Sequence, residues 1–481
     1  MRAEPFPSLV IRRDALVPQG AFAEAQAEFL EPDLDVVARL RTLLEAKKAG
    51  IVAHFYMDPE LQGVLSACDW PHIQISDSLV MADAGIKMAE AGTERVVVLG
   101  VDFMSENVRA MLDAAGHEQV DVYRVAADPI GCSLAESAEA QAYGAYLTKA
   151  SQQPNSLHVV YINTSLETKA RAHHLVPTIT CTSSNVVKTV LTAFDQVPDL
   201  HVWFGPDTYM GENLQRLFEG LAQLDDEAIK AVHPAHDQAS IRALLERFHY
   251  FGQGTCIVHH MFGADVVKTV EQSYADVFVT AHLEVPGEMF QLALAAQQNG
   301  RGVVGSTSNI LGFIAGRVEE AANQEGDAQR LRFILGTEAG MITAIVRKVQ
   351  RILDESASPI EVEIIFPVAS EAVAQTDDAE LGVVPGVAGG EGCSTAGGCA
   401  TCPYMKMNSL DAMLGLLERT VAEPRDNLLP FFPRKYSMEI GGRTAADLGG
   451  EPILHMRYFQ REGALPPALI DDIVGRKIEA G

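Results

Sequence analysis

The chain has 481 residues, 47% apolar and 21% charged, a balance that excludes disorder over most of its length. With 64 acidic against 37 basic residues, the formal charge of −27 repels phosphate backbones and anionic membranes, which excludes general nucleic-acid binding. No stretch reaches the roughly 18 apolar residues of a membrane span, and MRAEPFPSLVIRRDALVPQG at the N-terminus lacks a secretory apolar core, so a cytoplasmic protein is expected.

At about 150 residues per domain the length suits three domains. Residues 1–35 read as an irregular N-terminal arm. Short β-rich runs then alternate with amphipathic helical stretches. IVAHFYMD (51–58), HIQISDSL (72–79) and RVVVLGVDFMSEN (95–107) form one set. HVVYINTS (158–165), TITCTSSN (178–185) and LHVWFGPDT (200–208) form a second. DVFVTAHLE (276–284), GVVGSTSN (302–309) and RFILGTEAG (332–340) form a third. Continuous apolar runs of this length suit strands buried on both faces, and their alternation with helices predicts parallel sheets. The sets repeat: Tyr56, Ser78 and Gly100 are 22 and 22 residues apart, as are Tyr161, Ser183 and Gly205, while Glu284, Ser306 and Gly336 are spaced 22 and 30.

The expected fold is therefore α/β: three homologous three-layer α/β/α domains, with parallel sheets, around a pseudo-three-fold axis. The expected boundaries are 36–130 completed by a returning segment 395–425, then 131–255, then 256–394, with a C-terminal extension over 426–481. Polar tips beyond the carboxyl ends of such strands are where ligands bind, and three related domains would aim theirs at one central site.

Seven cysteines, an odd number in a long chain, argue against a disulfide framework. Cys132 and Cys256 each open a repeat, and GCSTAGGCATCPYMKMN follows the third with Cys393, Cys399 and Cys402. One thiolate per repeat suits a 4Fe–4S cluster with one iron open as a Lewis acid. A local zinc knuckle in the last run lacks a fourth ligand. Cys68 and Cys181 read as small buried hydrophobes. The glycine-rich stretch 386–398 reads as a mobile loop, and Cys393 with Cys399 is a remote candidate for a redox disulfide.

Hydroxyls in SDSL, CTSSN and GSTSN beside helix starts offer cradles for an anionic substrate. His259, His282 and Glu284 are acid–base candidates, with His282 and Glu284 on one face of an extended segment. His173 and His174 read as surface residues. No P-loop, dinucleotide fingerprint or nucleophile elbow is present.

The blocks AHFY, SDSL, GVDFMSEN, YIN, CTSSN, CIVHHMF, HLE, GSTSN, ILGTEAGM and CPYMKMN, in this order over residues 50–410, resemble the quinolinate synthase family of NAD biosynthesis. The resemblance implies three domains about a pseudo-three-fold axis and a 4Fe–4S cluster on Cys132, Cys256 and Cys402. It also implies condensation of iminoaspartate with dihydroxyacetone phosphate to quinolinate, phosphate and water, a transferase reaction. Substrate contacts then fall on His54, Ser78, Tyr161, Ile162, Asn163, Ser183, His282, Leu283, Glu284, Ser306, Thr307 and Lys406. Glu284, Tyr161, His282, Tyr56 and His259 are the catalytic expectations. The implied functional partner is an aspartate oxidase or dehydrogenase that supplies iminoaspartate. The residues leave the oligomeric state open, with a homodimer as one form. Leu283 departs from the His-Pro-Glu that the family often has. The competing readings are another open-iron 4Fe–4S hydro-lyase and a non-catalytic iron–sulfur redox sensor.

Overall fold

The computed structural model describes residues 6–256, 258–324, 329–367 and 401–476. It is a mixed α/β protein built on several parallel sheets. Strands β1 (Ser8–Ile11) and β2 (Leu16–Gln19) lead, followed by β3 (Ala49–His54), β4 (Ile73–Ser76), β5 (Arg95–Leu99) and β6 (Asp121–Arg124). A second set is β7 (Ser156–Tyr161), β8 (Thr178–Cys181), β9 (His201–Gly205) and β10 (Phe248–Tyr250). The third is β11 (Phe278–His282), β12 (Gly302–Gly305), β13 (Arg330–Gly336) and β14 (Glu361–Ile365).

All three sets share one strand order. The sheets run β4-β3-β5-β6, β8-β7-β9-β10 and β12-β11-β13-β14, and every pairing among these twelve strands is parallel. In each, the order reverses between the first and third strands of the set, the switch point where α/β sheets open a crevice at the strands' carboxyl ends. Every residue of β3 and β7 is buried, which is why these runs show no polar alternation. Each set also contains a fourth strand that the three-strand sequence reading does not contain: DVYR, FHY and EVEII.

Contacts divide the chain into two compact units. The first comprises Met1–Val101, His117–Gly131 and Ile257–Pro433. Here the leading segment is not irregular as expected. β1 pairs antiparallel with β14, and β2 with β1, so the third sheet gains two strands. Leu9 and Ile11 are fully buried in a core with Phe333, Ile345, Val349 and Ile364. Pro18 sits on the outermost strand, where a missing N–H costs no ladder bond. The helix Ile342–Ser356 buries Ile342, Ile345, Val346, Val349, Ile352 and Leu353, a one-sided stripe at helical spacing. Each such side chain contributes roughly 1.5–3 kcal/mol of apolar burial. The helix Leu410–Ala422 returns to pack on Leu34–Lys47.

The second unit comprises Asp102–Gly116, Cys132–Cys256 and Arg434–Gly481. Its C-terminal helix Ala445–Glu462 lies along Leu166–Leu175. His173, expected at the surface, is buried there with Nε2 3.1 Å from Glu451 Oε2, because the C-terminal helix covers it. His174 beside it is exposed. Among the described residues no helix is long and apolar enough to cross a membrane.

Candidate active site

In the first unit the site grows from the ends of β3, β11, β12 and β13. His54 closes β3 and is buried. The Tyr56 N–H donates to His54 Nδ1 at 3.2 Å, and the two rings meet edge-on with centroids 4.5 Å apart. An accepting Nδ1 puts the ring proton on Nε2. Burial pushes the His54 pKa down to about 3 against the pull of Glu284, so the imidazole is neutral at pH 7.

His282 closes β11, and Glu284 follows in a turn, not in the extended segment that was expected. The turn still brings them together. Glu284 Oε2 lies 3.0 Å from His259 Nδ1, and Oε1 lies 3.3 Å from His282 Nδ1. The His259 and His282 rings stack 5.1 Å apart at 6°. All three residues are buried. Burial lowers the His282 pKa to about 4, with Glu284 opposing and His259 adding to the shift. The Glu284 N–H donates to His282 Nδ1 at 3.4 Å, so neutral His282 does not also donate from that nitrogen to Oε1. A carboxylate beside two imidazoles and out of water can take and return a proton at a fixed place.

The three hydroxyl tips differ in use. Asp77, not Ser78, caps the helix Ser78–Glu90, accepting from Leu79 and Val80 N–H at 3.1 Å each, so Ser78 is the first helical residue. Ser306 is itself the cap of Thr307–Ala322, in a reciprocal box with Asn309. Thr307 and Leu283 are buried beside these turns.

Two further residues, quoted in no sequence-level role, brace this site. Glu338, after β13, is fully buried; its Oε2 accepts the Gly340 N–H at 2.7 Å and its Oε1 accepts the Cys402 N–H at 3.2 Å. Burial raises its pKa to about 8, against both N–H bonds and the charges of Lys406 and His259. Gln62 Nε2 donates to the carbonyls of Met57 (2.8 Å), Phe55 (2.9 Å) and Gly340 (3.2 Å), tying the Tyr56 loop to the loop after β13. A Cβ on Gly340 would stand 2.9 Å from Tyr56 Cα, so the two loops touch backbone to backbone. The short turn Met405–Met407 holds Lys406, whose Nζ is 4.0 Å from Asp58. Asn408 Oδ1 accepts the Gly100 N–H at 3.0 Å.

In the second unit Tyr161 closes β7 and is buried with Ile162, while Asn163 is half-exposed. The Ile162 N–H donates to Cys181 O at 2.9 Å, which continues the β7–β8 ladder into the loop. Ser183 lies in the turn after β8, where Asn185 Oδ1 accepts the Thr182 N–H at 2.9 Å. Ser183 itself is half-exposed. Cys132 occupies the position before helix Ser133–Glu139.

Cys132, Cys256 and Cys402 are each half-buried, whereas Cys68 and Cys181 are buried. Half-buried soft donors fit a metal centre by their chemistry. Cys393, Cys399 and the glycine-rich stretch 386–398 lie outside the described residues.

Comparison with known proteins converges on one family. The model of the family described as Quinolinate synthetase A protein matches residues 38–424. A chloroplastic quinolinate synthase of Nicotiana tabacum is 55% identical over 493 residues, covering 100% of this chain and 68% of the relative. Those of Oryza sativa subsp. japonica and Arabidopsis thaliana are each 54% identical, covering 99% and 98% of this chain and 70% and 67% of the relatives. These names overturn the cytoplasmic expectation, since each relative is named chloroplastic. With the family model matched along residues 38–424 and relatives above 50% identity across the chain, the protein belongs to the quinolinate synthases, enzymes of NAD biosynthesis.

Proposed function

We propose that Glu284, clasped between His259 and His282, is the proton-transfer centre through which this chain makes quinolinate. Iminoaspartate and dihydroxyacetone phosphate combine; phosphate and two waters leave, and carbon, nitrogen and electrons all balance without an oxidant. The carbonyl of the triose must move along its chain, which needs a proton removed at one carbon and returned at the next. Glu284 carries that proton, with His282 and Tyr161 as its partners and His259 holding the carboxylate in place. The single observation that carries this reading is the buried carboxylate between two stacked imidazoles.

The remaining site residues hold anions. Neutral His54 offers its Nε2–H; Ser78, Ser183, Ser306 and Thr307 offer hydroxyls or helix-start N–H groups; Ile162, Asn163 and Leu283 line their loops; Lys406 adds positive charge. Tyr56 keeps His54 in its tautomer. Cys132, Cys256 and Cys402 would hold a 4Fe–4S cluster. When bound, that cluster would supply Lewis-acid chemistry. The shared strand order supports three homologous domains, 36–130 with 395–425, 131–255 and 256–394. Iminoaspartate hydrolyses readily in water, so an amino-acid oxidase or dehydrogenase acting on aspartate is the functional partner this reading asks for.

The test is anaerobic iron and sulfide content with the visible spectrum, on wild type and on Cys132→Ala, Cys256→Ala and Cys402→Ala, followed by quinolinate formation. About four irons in wild type, lost in each variant, is the expected result. A cluster indifferent to Cys132 and Cys256 would overturn the ligand assignment. A loaded protein that forms no quinolinate would overturn the reaction.

A further inference from the structure

The loop Tyr161–Thr164 is held from behind by a buried charge cluster that no catalytic step uses. Lys169, near the start of helix Leu166–Leu175, has no exposed surface. Its Nζ donates to Ile162 O at 3.2 Å and, more closely, to Thr164 O. Ile162 O also accepts the Thr164 N–H at 2.8 Å, which closes a three-residue turn with Asn163 at its apex. Thr164 Oγ1 donates to Tyr161 O at 3.1 Å. The loop carbonyls therefore face the ammonium. Because a trans peptide sets N–H opposite C=O, the Asn163 N–H faces away from it.

For stability alone this is a poor place for a lysine. A buried ammonium costs several kcal/mol before pairing, and the positive end of a helix dipole makes it worse. Burial pushes the Lys169 pKa down to about 7 against the attraction of Glu106, and it pushes the Glu106 carboxyl up. Glu106, also buried, accepts the Leu166 N–H at 3.0 Å and the Tyr436 O–H at 2.8 Å. Tyr436 lies beyond the matched family region, which ends at residue 424. The same C-terminal segment presses on the loop's exit. A Cβ on Gly449 would stand 2.2 Å from Leu166 O, so the helix Ala445–Glu462 lies directly against that backbone.

We infer that Lys169 is a positioning residue that sets Asn163 for the substrate, and that the C-terminal segment, through Tyr436 and Glu106, keeps that clamp in place. The inference rests on the reading that Tyr161–Asn163 contact substrate. The chemistry recognised is that of a small dicarboxylate, met by the Asn163 amide at the apex of the turn.

Lys169→Met, Tyr436→Phe and the double variant test it in the cluster-loaded full chain. The readouts are iron content, kcat and KM separately, and the affinity for added pyridine-2,3-dicarboxylate. Lys169→Met should keep its iron, raise KM and weaken dicarboxylate binding by about tenfold or more; Tyr436→Phe should do the same more weakly. The double variant should be little worse than Lys169→Met, because both act through one loop. Unchanged KM and affinity in Lys169→Met, or additive effects in the double variant, would overturn the inference. Should Lys169→Met not fold, Tyr436→Phe decides: wild-type KM and affinity there overturn the role of the C-terminal segment. A wild-type protein that neither makes nor binds the dicarboxylate would instead sink the functional reading itself.

Discussion

Glu284 Oε2 and His259 Nδ1 stand 3.0 Å apart in a region where both side chains are almost completely shielded from water. The pair joins the end of the third set's first strand to the segment that follows Cys256. Its value is positional: a carboxylate that can move a proton, fixed beside His282, which burial keeps neutral at pH 7.

Glu284→Gln tests that value directly. The amide keeps the shape and can still bond both imidazoles, so the fold and the cysteine centre should survive. Only proton transfer is lost, and general acid–base groups contribute about 10²–10⁴ in rate. The expected outcome is kcat down by about that factor with iron content and KM nearly unchanged. Full turnover in a loaded Glu284→Gln protein would remove Glu284 from the mechanism.

Glu338→Gln probes the support of Cys402. The carboxyl group accepts two backbone N–H groups, one of them from Cys402 itself. A carboxamide has a single acceptor oxygen, so its NH₂ must face one of the two donors. Leaving a buried N–H unpaired costs about 1–3 kcal/mol. Fewer irons per chain and faster loss of iron to a chelator are expected. Wild-type iron retention would show that the Cys402 backbone needs no such support.

Much of this was legible in the sequence, and what was not has a common cause. The nine apolar runs with polar tips carry their own signature, because strands buried on both faces need unbroken apolar residues. The fourth strands escaped it: DVYR and FHY are short and partly polar. β1 looked like an arm because only its antiparallel pairing with β14, more than 350 residues away, makes SLVI a core strand. The positions of His54, Tyr161 and His282 at strand ends, and of Glu284 just beyond one, follow from the same apolar runs. Those of Glu338, Gln62 and Lys169 do not. A charged or amide side chain reads as surface until the fold shows that it is buried, and burial is a tertiary property. His173 misled for the same reason, since its cover arrives from Glu451.

Gly340→Ala should disturb the site by crowding the backbone of the Tyr56 loop. The added Cβ would meet Tyr56 Cα at 2.9 Å and Phe55 O at 3.0 Å, and neither backbone atom can rotate away. Gln62 binds both loops, through Phe55 O and Met57 O on one side and Gly340 O on the other, so a shift at Tyr56 is transmitted to its hydrogen bonds. Overpacking of this kind costs about 1–3 kcal/mol. A lower denaturant midpoint together with a fall in kcat is expected. A variant matching wild type in both would mean that the two loops separate at little cost.

Acid should expose the buried histidines, and His158 is the one to isolate. It is fully buried in the second unit, with Nε2 2.8 Å from Tyr143 Oη and Nδ1 3.3 Å from Thr178 Oγ1. Burial, helped by the charge of His173, lowers its pKa from 6.5 to about 3. The unfolded chain therefore binds a proton that the native chain refuses between those two values. Stability is intact above pH 6.5 and falls as pH drops toward 3, by about 1.4 kcal/mol per pH unit. Between pH 7 and pH 5 this single group should account for about 2 kcal/mol. His158→Gln has no proton to take up, so its stability should fall by that much less over the same interval, whatever its stability at pH 7. Urea midpoints at the two pH values, for both proteins, make the comparison. Parallel losses would show that His158 is already protonated in the native state, and that the Tyr143 oxygen, not its hydrogen, faces the ring.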